Sequence, residues 1–240
     1  LAVYSFTDSP NIGAIHSFSF HNYVTLFTTP ELIDMIIGSI ALAIGSAVLA
    51  TILGTTGAIG AFYSKKNVNG TMSVLNQIPV VNADVVTGFS LCILLVVVFG
   101  VSKNTYIPLI IGHTVLSAPF VYLAVVPKLK QMDPSLYEAA LDLGATPGYS
   151  LIHIIIPQIA SGIVSGFVMA VTLSLDDYFV ATYTKPATFD TISTYVVNAT
   201  KGSQTNIKTA LWALSTIIFL IVVIVEVVMN FAPIKNEAQK

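Results

Sequence analysis

Apolar residues gather into five long runs, roughly 33–63, 74–101, 107–126, 157–182 and 211–232. A bilayer core about 30 Å thick takes about 20 helical residues to cross, so each run predicts a membrane-crossing helix. The first run is longer than one crossing needs, and surface turns are expected within it. Between the third and fourth runs lies a polar, punctuated segment, Glu138 to Pro157, where a plain loop would suffice. Asp133 before Pro134 reads as an N-cap followed by the first helical position, and Gly144 as a stop just past the last turn. Thr146-Pro147 then opens a second short helix that runs toward Pro157. Leu136, Ala139, Ala140 and Leu143 recur at helical spacing, giving a small apolar face that nothing in the chain is assigned to cover. Glu138 and Asp142 form an i, i+4 like-charge pair, which costs an isolated helix about 0.2–0.5 kcal/mol. A capped, acidic, Ala-faced helix at a membrane surface reads as a docking element; the plainer reading is an amphipathic connector.

Composition agrees with the runs. Hydrophobic residues make up 55% of the chain and charged ones 9%, with a mean hydropathy of +0.83, outside soluble globular usage. Lys65, Lys66, Lys128, Lys130, Lys235 and Lys240 fall on one side if the runs alternate, against Lys103, Lys185, Lys201 and Lys208 on the other. That bias puts the Glu138 segment in the cytoplasm. Cys92 is the single cysteine, which excludes an internal disulfide and a thiolate metal site. A net charge of −2 carries no signal for nucleic acid. The chain shows no soluble domain and no inverted repeat.

Ser46, Ala50 and Gly54, and likewise Gly162, Gly166 and Ala170, follow at four-residue steps and allow close helix approach. Pro79 and Pro119 interrupt apolar runs and free backbone carbonyls there, which requires neighbouring protein or a water-filled cavity. Asp84, Asp176, Asp177 and Glu226 fall within or at the ends of apolar runs with no lysine beside them. An acid at membrane depth costs about 2.5–3.5 kcal/mol on insertion scales, so such residues usually pair or face water. Asp176 stands roughly 28 Å from Pro157 at 1.5 Å per helical residue, near the far end of its span, and Asp84 is expected deeper. Taken alone, these acids read equally as a cation path or as hydrated residues at a helix end. Glu226 reads as a snorkelling or packing residue, and His113 as a hydrogen-bonded structural histidine.

Glu138-Ala139-Ala140, Gly144 and the Ile-rich stretch ending at Pro157 resemble the EAA loop of permease subunits of ATP-binding-cassette importers. Gly112-His113 through Pro119-Phe120 to Pro127 resembles the fourth helix of these permeases. Ser174-Leu175-Asp176-Asp177 and Ala83-Asp84-Val85-Val86 are similar to the fifth-helix and third-helix acid motifs of the spermidine/putrescine (PotC) type. Three positions depart from that pattern. His153 stands where relatives carry a basic residue, Gly148 where they place an aromatic (Tyr149 follows), and Ile156 replaces Leu.

The resemblance implies an all-α membrane protein, the transmembrane domain of a type I importer: one permease domain over 1–240, with the coupling loop at about 128–157. Five full spans would follow the end of a truncated first helix, read in the apolar residues 1–6. It implies that Leu136, Glu138, Ala139, Ala140, Asp142, Leu143 and Gly144 couple to an ATPase, and that Asp84, Asp176 and Asp177 line the substrate path. The chain itself would bind no cofactor and catalyse no covalent chemistry, since ATP and Mg belong to a cytoplasmic ATPase dimer. The other implied partners are a second permease subunit, expected to be a different chain, and an extracytoplasmic polyamine-binding protein. The expected location is the bacterial inner membrane. Within this reading the alternative cargo is ferric iron or another organic cation. A channel or secondary transporter leaves the capped Glu138 helix unexplained. An intramembrane hydrolase needs a His-Glu-x-x-His motif or a Ser–His constellation that the linear sequence does not display.

Overall fold

Residues 2–7, 18–133, 135–201 and 205–231 are described by the computed structural model, whose regular elements among them are all helical apart from one isolated bridge between Thr7 and Phe18. Contacts divide the chain into two compact units, one of residues 1–38 with 190–240 and one of residues 39–189.

The larger unit takes most of α2 (Pro30–Phe62), an unbroken helix of 33 residues. At 1.5 Å per residue it is about 50 Å long, so the surface turns expected within the first run are absent. No proline follows Pro30 to break it. The run 74–101 behaves differently. It is not one straight crossing: α3 (Lys66–Val81) and α4 (Asp84–Ile93) belong to segments that meet at 106°. The break falls at Asn82 and Ala83, both extended, because this dipeptide ends one helix and caps the next. Val86 and Thr87 donate their N–H groups to the Ala83 carbonyl at 2.9 and 3.0 Å. Asp84, as the first residue of α4, sits where the helix dipole favours an anion. Pro79, the expected interruption, lies inside α3 without ending it.

Helix α5 (Ile107–Gln131) runs through Pro119 and Pro127 unbroken and is the axis of this unit. It packs along α9 (Ala160–Asp176), whose Gly162, Gly166 and Ala170 are buried. A Cβ on Gly162 would lie 2.9 Å from the Ala124 carbonyl oxygen, and one on Gly166 would lie 3.1 Å from Val121 Cα. From the α2 side, a Cβ on Gly54 would lie 2.7 Å from Val121 Cβ. Gly54, Gly162 and Gly166 therefore serve contact with α5, while Ser46 meets α9 through the Ser174 hydroxyl. The core gathers Val121, Val125, Leu129, Ile155 and Ile159. Two polar ties bind α3 to α5: Asn76 Nδ2 donates to the Pro119 carbonyl (3.3 Å), and the Ser73 and Tyr122 hydroxyls meet at 3.2 Å.

The fourth run is also bent. Helix α7 (Pro147–Ser150), a π turn over Leu151–Ile155 and α8 (Ile156–Gln158) form one stretch that makes 72° with α9, and the π turn ends just before Pro157. Proline lacks the N–H that an α-helix needs there and crowds the carbonyl four residues earlier. At its far end α9 stops at Asp176, and a short helix, α10 (Phe179–Thr184), follows. Among the described residues, then, α2 and α5 are each long and apolar enough to cross a bilayer alone. The runs 74–101 and 157–182 fall on bent pairs, Asn67–Val81 with Asp84–Val98 and Pro147–Gln158 with Ala160–Asp176, each of them a broken span or a re-entrant turn.

The smaller unit joins α1 (His21–Thr28), the start of α2, α11 (Ile192–Lys201) and α12 (Thr205–Phe231). Leu26, Leu32, Ile192, Leu211 and Leu214 form its core. Tyr4–Phe6 is one 3-10 turn, tied to α1 by Asn22 Nδ2, which donates to the Ser5 and Thr7 carbonyls at 2.9 Å each. The Glu226 side chain, Lys235 and Lys240 lie outside the described residues.

Candidate functional site

The Glu138 segment forms the expected helix, α6 (Ser135–Asp142). Asp133 Oδ1 accepts from the Ser135 N–H (2.9 Å) and hydroxyl (2.8 Å), and these two bonds hold its carboxyl below the usual carboxylate range. Pro134, expected at the first helical position, lies outside the described residues. At the other end Gly144 takes φ +87°. The Gly144 N–H donates to the Leu141 carbonyl (2.9 Å) and that of Ala145 to the Ala140 carbonyl (3.0 Å). These are the paired bonds of a Schellman stop, which requires a left-handed residue at Gly144.

The expected apolar face divides in two. Ala140 is buried and Leu136 packs, with Leu151 and Ile154, against the unit's own core. Ala139 is exposed, and Leu143 is 89% exposed. Glu138 and Asp142 are exposed beside them. The helix is thus half seated and half presented. Its outer surface carries Glu138, Ala139, Asp142 and Leu143. Thr146 caps the next helix by accepting from the Tyr149 N–H (3.4 Å). The His153 ring stacks on Tyr149 at 4.1 Å and its Nδ1 donates to the Tyr149 carbonyl (3.2 Å). Tyr63, just past α2, meets Tyr137 of α6 at 5.0 Å, so the Lys65 turn and the Glu138 segment share one side of the unit.

The three acids Asp84, Asp176 and Asp177 come together at the opposite end of α9. Asp84 opens α4 and is exposed, as is Asp176. Both lie close enough to Asp177 to repel its charge. Asp177 itself is buried. Its Oδ1 accepts from the Val180 N–H (3.2 Å) and its Oδ2 from the Ala181 N–H (2.7 Å). With φ −67° and ψ 124° it ends α9 and caps the first turn of α10 in one residue. Helix α10 is seated closely against α4 and α5: a Cβ on Gly88 would lie 2.8 Å from Val180 Cα, and one on Gly112 would lie 2.8 Å from Val180 Cγ1.

Behind Asp177 runs a buried polar chain. His113 is wholly buried. Its Nδ1 lies 2.7 Å from Ser174 Oγ, and Ser174 Oγ lies 3.2 Å from Ser46 Oγ on α2. His113 Nε2 faces Asp177 Oδ2 at 3.6 Å, beyond hydrogen-bond reach, and has no other partner among the described residues. Sequence reading anticipated a hydrogen-bonded His113 but missed its partners, which lie 61 and 64 positions away. The set Ser174–His113–Asp177 has the residue types of a hydrolytic triad, yet Ser174 is buried and its hydroxyl also meets Ser46. No substrate carbonyl can reach it in this arrangement.

Comparison with known proteins fits this geometry. Residues 54–232 match the family described as binding-protein-dependent transport system inner membrane component. The chain belongs to that family. It is therefore a multi-pass inner-membrane permease component. It is 30% identical over 211 residues to the spermidine/putrescine transport system permease protein PotC of Haemophilus influenzae, covering 86% of this chain and 80% of that one. It is 31% identical over 189 residues to the putrescine transport system permease protein PotI of Escherichia coli, covering 76% of this permease and 67% of its relative. The fold matches a bacterial ABC transporter involved in import of the acidic polysaccharide alginate, with a TM-score of 0.70 and 19% identity over 95% of this chain and 87% of the other. It also matches the MetNI methionine ABC transporter, with a TM-score of 0.59 and 14% identity over 85% of this chain and 95% of the other.

Proposed function

We propose that this permease is one transmembrane subunit of an ATP-driven polyamine importer. The observation that carries the substrate class is the 30% identity to a spermidine/putrescine permease over 86% of the chain. The chemistry agrees: Asp84 and Asp176 are exposed carboxylates at one end of the larger unit, and such a pair attracts an extended cation bearing several separated ammonium groups and repels anions.

The outer surface of α6 docks into a cytoplasmic ATPase dimer that binds ATP and Mg; this chain carries out no hydrolysis. Glu138, Ala139, Asp142 and Leu143 make the contact. Leu136, Ala140 and Gly144 hold the helix in shape and tie it to the core, so movement of the ATPase is passed into α5 and α9. Each ATPase state favours a different position of α6, and that differential affinity shifts the bundle between outward and inward access. A second permease subunit of different sequence completes the path, and an extracytoplasmic binding protein delivers the polyamine.

The test is uptake of labelled putrescine and spermidine by cells that lack other polyamine importers and express this permease with its ATPase, partner permease and binding protein. Saturable uptake, abolished when the permease is omitted, is expected. Uptake of ferric iron or a different organic cation, with none of either polyamine, would overturn the substrate assignment.

A further inference from the structure

We infer that Asp177 is a positioning residue rather than a cation ligand: with His113 and Ser174 it pins the α9–α10 turn, and Asp84 and Asp176 alone meet the transported cation. This inference rests on the polyamine-importer reading for the role of the two exposed acids. The cap itself stands on geometry.

Two neighbouring aspartates in a transporter invite one shared role, and the fold divides them. Successive residues where a helix ends point in different directions, so only one of the two faces out. Asp176 is exposed, whereas Asp177 is 8% exposed and spends both oxygens on the Val180 and Ala181 N–H groups. Lone pairs remain on a carboxylate that accepts two bonds, but at this burial they offer an ammonium group no open approach.

What it holds is a close-fitting part. Helix α10 lies against Gly88 and Gly112 with no room for a Cβ at either, so it has one seat and needs an anchor to stay there. His113 follows Gly112 directly and aims Nε2 at Asp177 Oδ2 from 3.6 Å, while Ser174 fixes the opposite ring nitrogen at 2.7 Å. If Ser174 donates to Nδ1, the proton sits on Nε2 and points at the carboxylate. A closure of a few tenths of an ångström converts this approach into a charge-assisted hydrogen bond. One buried chain therefore links Ser46 of α2, His113 of α5 and Ser174 of α9 to the α10 cap. It sets where Asp176 stands relative to Asp84.

A cap and a cation ligand respond differently to substitution. Asparagine keeps a capping oxygen and loses the charge, and alanine loses both. The experiment measures polyamine uptake against concentration in the complete transporter for Asp177→Asn, Asp177→Ala, His113→Phe and Asp176→Asn. In parallel, an Ala181→Cys probe in a Cys92→Ser background reports aqueous thiol labelling of α10, which is buried at Ala181. With asparagine at 177, the maximal rate should stay within about threefold of wild type and half-saturation should be unchanged, because one capping bond survives. Alanine there should cut the maximal rate at least about tenfold at unchanged half-saturation and open the introduced thiol to labelling. His113→Phe should act in the same direction as alanine, and Asp176→Asn should instead raise half-saturation. If asparagine and alanine at 177 raise half-saturation equally and the introduced thiol stays protected, Asp177 is a ligand and the inference is wrong. If the wild type takes up no polyamine, the transport reading fails, while the labelling still decides whether Asp177 pins α10.

Discussion

A Cβ added to Gly54 would lie 2.7 Å from the Cβ of Val121 and 2.8 Å from the Ala118 carbonyl oxygen. Neither neighbour can yield cheaply, since one is a branched carbon at the backbone and the other is backbone. Gly54→Leu should therefore force α2 off α5, at a cost of about 1–3 kcal/mol or more for overpacking. Gly60, inside the same helix, has nothing within 4 Å, so Gly60→Ala is the control and should keep stability or raise it by up to about 1 kcal/mol. Thermal unfolding of the detergent-solubilised complex checks this: a clear fall for Gly54→Leu with none for Gly60→Ala.

Gly144 offers the complementary case. A Cβ there meets nothing, but φ is +87°, so the penalty comes from the backbone. Gly144→Val should cost α6 its stop, about 1–3 kcal/mol of strain, and lower both polyamine uptake and recovery of the ATPase with the membrane complex. Gly144→Asn, which tolerates the left-handed region, should retain most of both. Equal loss in the two variants would mean that Gly144 matters through close contact with a partner rather than through its conformation.

The outer surface of α6 can be tested without disturbing its seat. Glu138→Lys and Leu143→Asp change exposed side chains, so permease abundance should hold. Co-purification of the ATPase should drop about tenfold or more, equivalent to losing about 1.4 kcal/mol at the interface. Ala140→Leu, directed into the packed side, should lower abundance instead. Undiminished ATPase recovery with both outer variants would remove this surface from the docking interface.

How much of this was legible in the sequence depends on how local the signal was. The ends of α6 were readable because Asp133 and Gly144 act within a few residues of themselves. The division of its apolar face was not, because Leu136 is covered by the core that Leu151 and Ile154 also join. Hydropathy marked 74–101 and 157–182 as single crossings because apolar residues continue through both bends. Asp84 at the first bend, and Asp176 with Asp177 at the far end of α9, away from the 72° bend at Ile159, read as charges stranded in a span. Each is in fact a helix terminus. Ser46, His113 and Ser174 come from three separate runs, and only the packing of α2, α5 and α9 brings them together.

The two exposed acids give a graded prediction. Asp84→Asn and Asp176→Asn should each raise the polyamine concentration for half-maximal uptake, and the double variant should raise it further, since a polycation contacts both. Losing one screened charge contact corresponds to about two- to fivefold. ATPase recovery should be unaffected. A double variant present at normal abundance with wild-type half-saturation would leave these acids as hydrated residues at helix ends.

The central claim is that this chain moves polyamine inward at the expense of ATP through a separate ATPase. The most direct measurement reconstitutes the permease pair and ATPase in proteoliposomes, arranged so that the binding protein and labelled spermidine or putrescine lie on one side and ATP on the other. Polyamine should cross toward the ATP side only when ATP and binding protein are both present, and Glu138→Lys should abolish the movement. Equal movement without ATP, or none with it while ATP is hydrolysed, would contradict the account.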